Sequence, residues 1–342
     1  MGVYSYLDLG QLKPDGNNSG RWVPSWANGI NNSNHITGNS TNGGTGASIH
    51  VNSPPGFYWA SPGPMTTLAE DTITHFTWSF AIDDNDHMYG ARESVIGNTE
   101  NGGLHTAVYW ASSSPSSITY LANLPGSGEK WAEALGTNGT IIVGHASEND
   151  LSISPRAVYW PTAASSPVSV GKPSGMGGSC SRLIGVKHVT IGSSSHDIAV
   201  GFASNSPYNN AATDSTYFAG GLGAYAYDIT TSSYIVLPTP SGGYSTACAV
   251  AINTSGIIVG SAYQQAVDGQ GHPLYNPDGS PVLIEYACKW TPNGLGSYPA
   301  SGAVFLSTGG SFSSLLRATG INSSGTIVGI GWLSSVIRAF VM

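Results

Sequence analysis

Ala251-Ile252-Asn253-Thr254-Ser255-Gly256-Ile257-Ile258-Val259-Gly260 recurs as Gly320-Ile321-Asn322-Ser323-Ser324-Gly325-Thr326-Ile327-Val328-Gly329, with seven identities over ten positions. The same frame reads GINNSNHITG from Gly29 to Gly38 and AIDDNDHMYG from Ala81 to Gly90. A one-residue insertion fits Leu135 to Gly144, and a degenerate copy with two extra residues runs from Ile191 to Gly201. Six copies mean that one supersecondary unit, unable to bury its apolar face alone, is repeated along the chain. The anchors are Ile30, Ile82, Leu135, Ile191, Ile252 and Ile321.

Each copy predicts two short strands around a tight turn, because apolar residues flank a polar core. Four positions after the anchor stand Asn34, Asp86, Gly139, Gly256 and Gly325 in the five clear copies. Gly, Asn and Asp are the residues that tolerate positive φ, so a left-handed backbone is expected there. The Asn or Asp directly after the Ile is suited to fold its side chain back onto the turn's own amides.

A third strand follows each hairpin and ends in aromatics: Phe57-Tyr58-Trp59, Val108-Tyr109-Trp110, Val158-Tyr159-Trp160, Tyr225-Ala226-Tyr227, Ala287-Cys288-Lys289-Trp290 and Arg338-Ala339-Phe340. A fourth apolar stretch comes next, as in Ile118-Thr119-Tyr120-Leu121 or Tyr234-Ile235-Val236-Leu237, except in the last copy, where the sequence ends. The N-terminal stretch Tyr4 to Leu12 supplies a strand of that kind. The expected fold is therefore all-β: a six-bladed β-propeller with four-stranded blades, one domain over residues 1–342, its last blade (313–342) closed by residues 1–12.

The pattern A-x-x-I-N-x-x-G-x-I-V-G, with H-A-F-x-W and D-L-G-x-L elements, resembles the HAF-repeat family of probable extracellular repeats. It is carried by Ala251 to Gly260 and Gly320 to Gly329, by Arg156-Ala157-Val158-Tyr159-Trp160 and Arg338-Ala339-Phe340, and by Asp8-Leu9-Gly10-Gln11-Leu12. Arg replaces the family's His in the second element. The resemblance implies a repeat fold and an exported or surface setting, and it brings no catalytic residues.

Composition sets further bounds. Of 342 residues only 9% are charged, 11 Lys+Arg against 19 Asp+Glu, for a formal charge of −8. The surface must be made of Ser, Thr, Asn and Gly, with no Lys/Arg cluster to neutralise a row of phosphates, so a nucleic-acid partner is not expected. With 40% hydrophobic and 10% aromatic residues the chain has ample material for a core. No stretch approaches the ~18 apolar residues of a membrane helix, and the first 25 residues lack the basic start and apolar run of a secretory signal. Membrane insertion is not expected. Cys180, Cys248 and Cys288 lack metal or redox spacing, and the last two read as small buried hydrophobes.

No motif with a catalytic mechanism is present: no G-x-S-x-G elbow, no Walker loop, no paired metal-binding histidines. The expectation is a protein without enzymatic activity, cofactor or metal. The run Asp83-Asp84-Asn85-Asp86 could offer oxygens to calcium, but its residues are ordinary turn formers. Trp26, Trp78 and Trp131 each precede their anchor by four positions and read as repeated packing between blades. His196 and Asp197, being adjacent, should point to opposite faces of a strand. The candidate binding residues fall on the longest loops: Tyr208, Asn209, Asn210, Asp214, Tyr217 and Phe218 in the fourth unit, and His272, Tyr275, Asn276 and Asp278 in the fifth. Flat rings and short amides suit recognition of polar surfaces or sugars. The composition favours a virion or extracellular structural or adhesion protein, such as a bacteriophage tail, fibre or capsid-surface component. It would assemble with other virion or surface proteins, or bind host-surface polysaccharide. A secreted bacterial adhesin of the HAF-repeat type and a propeller glycan hydrolase are the alternatives.

Overall fold

The computed structural model describes residues 25–40, 56–68, 77–94, 104–125, 131–147, 155–204, 221–243, 247–277, 279, 282–293, 296–308, 312–333 and 336–342. Among these there is no α-helix, only the short 3-10 turn Ala300–Gly302. The strands are β1 (Ser25–Ile30), β2 (Ile36–Ser40), β3 (Gly56–Trp59) and β4 (Thr66–Thr67), then β5 (Thr77–Ile82), β6 (His87–Ser94), β7 (Leu104–Ala111) and β8 (Ser114–Tyr120). Next come β9 (Ala132–Thr137), β10 (Ile142–Ala146), β11 (Arg156–Trp160) and β12 (Val168–Ser169), then β13 (Cys180–Ile191), β14 (Ser194–Ser204), β15 (Gly221–Asp228) and β16 (Ser233–Val236). The last are β17 (Ala247–Ile252), β18 (Ile258–Gln265), β19 (Leu283–Trp290), β20 (Ala303–Phe305), β21 (Ser314–Ile321), β22 (Ile327–Leu333) and β23 (Val336–Val341).

Each consecutive group forms its own up-and-down sheet, five of four strands and a sixth of three among the described residues. These are propeller blades, and the fold class is the all-β, six-bladed propeller that the repeats predict. Residues 1–12, the expected closing strand, lie outside the described residues. The chain divides into two compact units, one built from described residues up to 147 with 160–168, the other from 155–159 and from 169 onward.

Within each unit the core lies between successive blades. In the second, Val189, Ile198, Val200 and Leu237 of the fourth blade pack on Ala249, Ile252, Ile258 and Trp290 of the fifth. In the first, Leu68 of the first blade packs on Ile82, Met88, Val108 and Trp110 of the second. Apolar residues are needed on both faces of such strands, and full burial of each large one contributes about 1.5–3 kcal/mol. The aromatic that ends the third strand has a second role. The Trp160 and Trp290 indoles donate to the carbonyls of Ala122 and Pro238, each just past the fourth strand of the preceding blade, both at 2.7 Å.

The turns follow the predicted chemistry. Asn34, Asp86, Gly139, Gly256 and Gly325 all have positive φ, from 61° to 95°. Asn31 Oδ1 accepts from the amides of Ser33 and His35, and Asp83 Oδ1, Asn253 Oδ1 and Asn322 Oδ1 cap their own turns in the same way. Asn is favoured over Asp for a reason the repeat alone does not reveal. Asn31 Nδ2 donates to the carbonyl of Asp83 at 2.9 Å and Asn253 Nδ2 to that of Asn322 at 3.1 Å, so each amide also ties its turn to the next blade's. The carboxylates of the acidic run have similar tasks: Asp83 accepts from the Tyr89 hydroxyl, Asp84 from Asn32, and Asp86 from Asn31 and His35. Burial together with the Asp83 charge pushes the Tyr89 hydroxyl far above its ordinary pKa.

Around Gly325 a side chain would meet nothing within 4 Å. Gly325→Asn is therefore expected to leave stability within about 0.5 kcal/mol, while Gly325→Val loses at least ~1 kcal/mol because a β-branched residue resists positive φ. Urea unfolding of the two variants checks this. Equal losses would mean that backbone handedness does not govern the turn.

Two copies are framed differently from the sequence reading. In the third blade it is Thr137, paired with Ile142, that takes the place Ile252 has opposite Ile258; Leu135 is not the anchor. Its turn, closed by Asn138 N to Ile141 O, is one residue shorter than those of the first, second, fifth and sixth blades. In the fourth blade the equivalent residue is Val186, paired with Ala199, and the hairpin continues past it to a two-residue turn between Ile191 and Ser194. Ile191 is an apolar residue at the hairpin tip, whereas Val186 holds the anchor's place in the sheet.

Candidate functional site

The fifth-unit insertion is an ordered β-arm rather than an irregular loop. Beyond Gln265, Ala266 N donates to Val282 O, Leu274 N to Ala266 O and Val282 N to Leu274 O, so three short segments lie side by side. The first turn repeats the anchor chemistry. Asp268 Oδ1 accepts from the amides of Gln270 and His272, and Gly271 has φ +86°. Those amide bonds hold the Asp268 carboxyl below its ordinary pKa. A second turn is closed by Gly279 N to Asn276 O, with Gly279 at φ +81°.

Residues 269–277 are all exposed, and Val267, Leu274 and Tyr275 present large apolar surface to solvent, Tyr275 at 60% exposure. Leu274 and Tyr275 are adjacent in an extended segment and so face opposite ways, which leaves both faces of the arm solvated. Of the candidate binding residues on this arm, Tyr275 and Asn276 are both exposed. The His272 Nδ1 bonds Asp268 Oδ2 at 3.1 Å, within its own turn. Tyr208, Asn209, Asn210, Asp214, Tyr217, Phe218 and Asp278 lie outside the described residues.

Sequence reasoning missed a buried polar cluster in the first unit. The His105 ring lies between the indoles of Trp78 and Trp131, at centroid distances of 4.5 and 4.3 Å. Its Nδ1 is 2.5 Å from Glu133 Oε1, and His145 Nε2 is 3.6 Å from the other carboxylate oxygen. Trp78 is buried there, as the packing reading expected, with an imidazole as its neighbour. The side chain of Trp26 lies outside the described residues. The second unit uses the same slot with other residues: Arg317 makes a two-pronged bond to Glu285, Nε to Oε1 at 2.8 Å and Nη2 to Oε2 at 2.7 Å. His105 and Glu285 both stand on the third strand of one blade, three residues before the one paired with the repeat's last Gly; Glu133 and Arg317 stand on the first strand of the next. The signal was a charged residue inside an apolar strand, as in Trp131-Ala132-Glu133-Ala134-Leu135 and Leu315-Leu316-Arg317-Ala318. This cluster is a cross-link between blades.

A cleft of about 230 Å³ lies between the fourth-blade hairpin and the fifth-blade turn, lined by Val189, Ile191, Ile198, Ile235, Gly256 and Tyr298. It falls below the ~300 Å³ at which small-molecule pockets begin. The Tyr298 hydroxyl at its wall donates to Gly256 O at 2.6 Å, and burial pushes its pKa up.

No protein-family model matches the sequence, and no curated protein matches it. A propeller fold is compatible with binding and with structural roles, and the choice of function rests on the displayed surface.

Proposed function

We propose that this is a binding and assembly protein, without catalysis as its principal role, that meets its partner through the fifth-blade arm. The observation that carries the reading is the arm itself. It is ordered by two side-chain-capped or glycine turns, yet both its faces carry exposed Val, Leu and Tyr, a combination that does nothing for the blade beneath. The fourth-unit loop residues Tyr208 to Phe218 belong to the same proposal through their composition. The low charge, the Asn/Ser/Thr/Gly surface and the resemblance of the repeats to the HAF-repeat family support a virion or cell-surface setting, with a neighbouring protein or a surface polysaccharide as partner.

The paired positions of Ala266 and Val282 permit a clean excision. Residues 267–281 are replaced by Asn-Gly, a dipeptide that closes a two-residue hairpin. The trimmed protein should melt within about 2 °C of the intact one, since the arm contributes little buried surface. Binding to an array of immobilised polysaccharides, or self-association seen by light scattering, should be lost. Retention of both by the trimmed protein, or neither being shown by the intact one, overturns the proposal.

A further inference from the structure

The fourth-blade hairpin aligns a serine, an imidazole and a carboxylate. Because its turn is the dipeptide Gly192-Ser193, Ile191 pairs with Ser194, Thr190 with Ser195 and His188 with Asp197. Residues two apart on a strand share a face, so Ser195 and Asp197 stand on the same side as His188. His188 Nδ1 lies 3.1 Å from Asp197 Oδ1, while its Nε2 is hydrogen-bonded to the Ser195 hydroxyl. A carboxylate at Nδ1 draws the imidazole proton to that nitrogen and leaves Nε2 as the acceptor for Ser195.

The orienting carboxylate sits on fixed backbone. The Asp197 amide donates to Thr230 Oγ1 and its carbonyl accepts from the Ile229 amide, both at 2.9 Å. His196 points to the other face and bonds Asp228 Oδ2 at 2.7 Å, so it does not compete for Asp197. Nucleophile, base and orienter are therefore present in the order that acyl transfer needs, each nitrogen of the ring facing its proper partner.

We propose that Ser195, His188 and Asp197 form a solvent-exposed acyl-transfer site for unhindered carboxylic esters, an activity independent of the binding role of the arm. Ser195 Oγ attacks the ester carbonyl carbon as its proton passes to His188 Nε2, and Asp197 stabilises the resulting imidazolium. The tetrahedral intermediate collapses, the bond from carbon to the alcohol oxygen breaks, and the alcohol leaves with the proton from His188. Water then attacks the acyl-serine, giving one proton to His188; the carboxylic acid departs and Ser195 regains its hydrogen. The balance is ester plus water to acid plus alcohol. Ser195 is exposed and His188 is 63% exposed, so among the described residues no pocket encloses the serine to select an acyl chain. The site therefore takes short acyl groups, including those on carriers too large for a pocket. Screening by water keeps it slow, so covalent capture is a better readout than turnover.

The full-length protein is treated with an alkyl fluorophosphonate and the adduct is located by peptide mass spectrometry, alongside hydrolysis of p-nitrophenyl acetate. The adduct is expected on Ser195. It should be absent in Ser195→Ala and slowed at least ~100-fold in His188→Gln, the low end of general-base catalysis. Asp197→Asn should slow it about tenfold, less than in a buried triad because solvent also orients the ring. Ser194→Ala, altered on the opposite face, should label as the parent does. No adduct at Ser195, labelling spread over several serines, or equal labelling in His188→Gln would overturn the proposal. Circular dichroism checks that each variant is folded.

Discussion

Gly260→Ala is expected to destabilise the protein by about 3 kcal/mol or more, far beyond the ~1 kcal/mol of an ordinary Gly-to-Ala change in a strand. A Cβ at residue 260 would stand 1.9 Å from the carbonyl oxygen of Cys248 on the paired strand. Backbone has to move to relieve such a contact, and here it is held in a four-stranded sheet beside a register shift between Ala249 and Ala251. The last glycine of the repeat meets the same constraint elsewhere. At Gly90, Gly144, Gly201 and Gly329 a Cβ would lie within 1.8 to 2.0 Å of a carbonyl oxygen on the neighbouring strand. In these five blades the glycine sits against the bulge of the first strand. Urea unfolding of Gly260→Ala beside Gly269→Ala, a position with nothing within 4 Å, isolates the effect. Equal midpoints for the two variants would refute it.

Arg317→Ala should cost a further large amount, about 3 kcal/mol, because it leaves Glu285 facing a cavity where a two-pronged partner stood. The Arg317 side chain is 4% exposed and that of Glu285 17%, so solvent only partly replaces the lost bonds. Replacing both, as in Arg317→Met with Glu285→Gln, should recover more than half of the loss, since no buried charge then lacks a partner. A double-mutant cycle by chemical unfolding measures the coupling, expected above about 1.5 kcal/mol. A coupling below ~0.5 kcal/mol would place the pair among solvent-screened surface bridges.

The two sites differ in how far the sequence exposes them. The length and composition of residues 264–285 mark an insertion there, while its hydrogen-bonded order shows only in the structure. Asp268 to His272 repeats the Asx-capped turn of the anchors, D-x-x-G-H against N-x-x-G-x, and that likeness was the available signal. The serine, histidine and aspartate of the fourth blade were also within reach. Gly192-Ser193 is a two-residue hairpin dipeptide, and pairing outward from it puts His188 opposite Asp197. The Ile191 frame hid this, because an apolar residue at the tip imitated the anchor.

Legible along the chain is everything governed by neighbours a few residues apart: the number of units, their strands, the left-handed turn positions and the Asn that caps its own turn. Alternation and turn chemistry act within about five residues, so repetition makes them plain. The remaining contacts exist only between blades. Asn31 reaches a carbonyl 52 residues away and Asn253 one 69 away, while Glu285 meets Arg317 and Glu133 meets His105 between blades. The close approach that forbids any side chain at Gly260 likewise exists only once two strands are paired. Those choices are made pair by pair across a packed interface, with a charge reversed here or a ring inserted there, and no period along the chain records them.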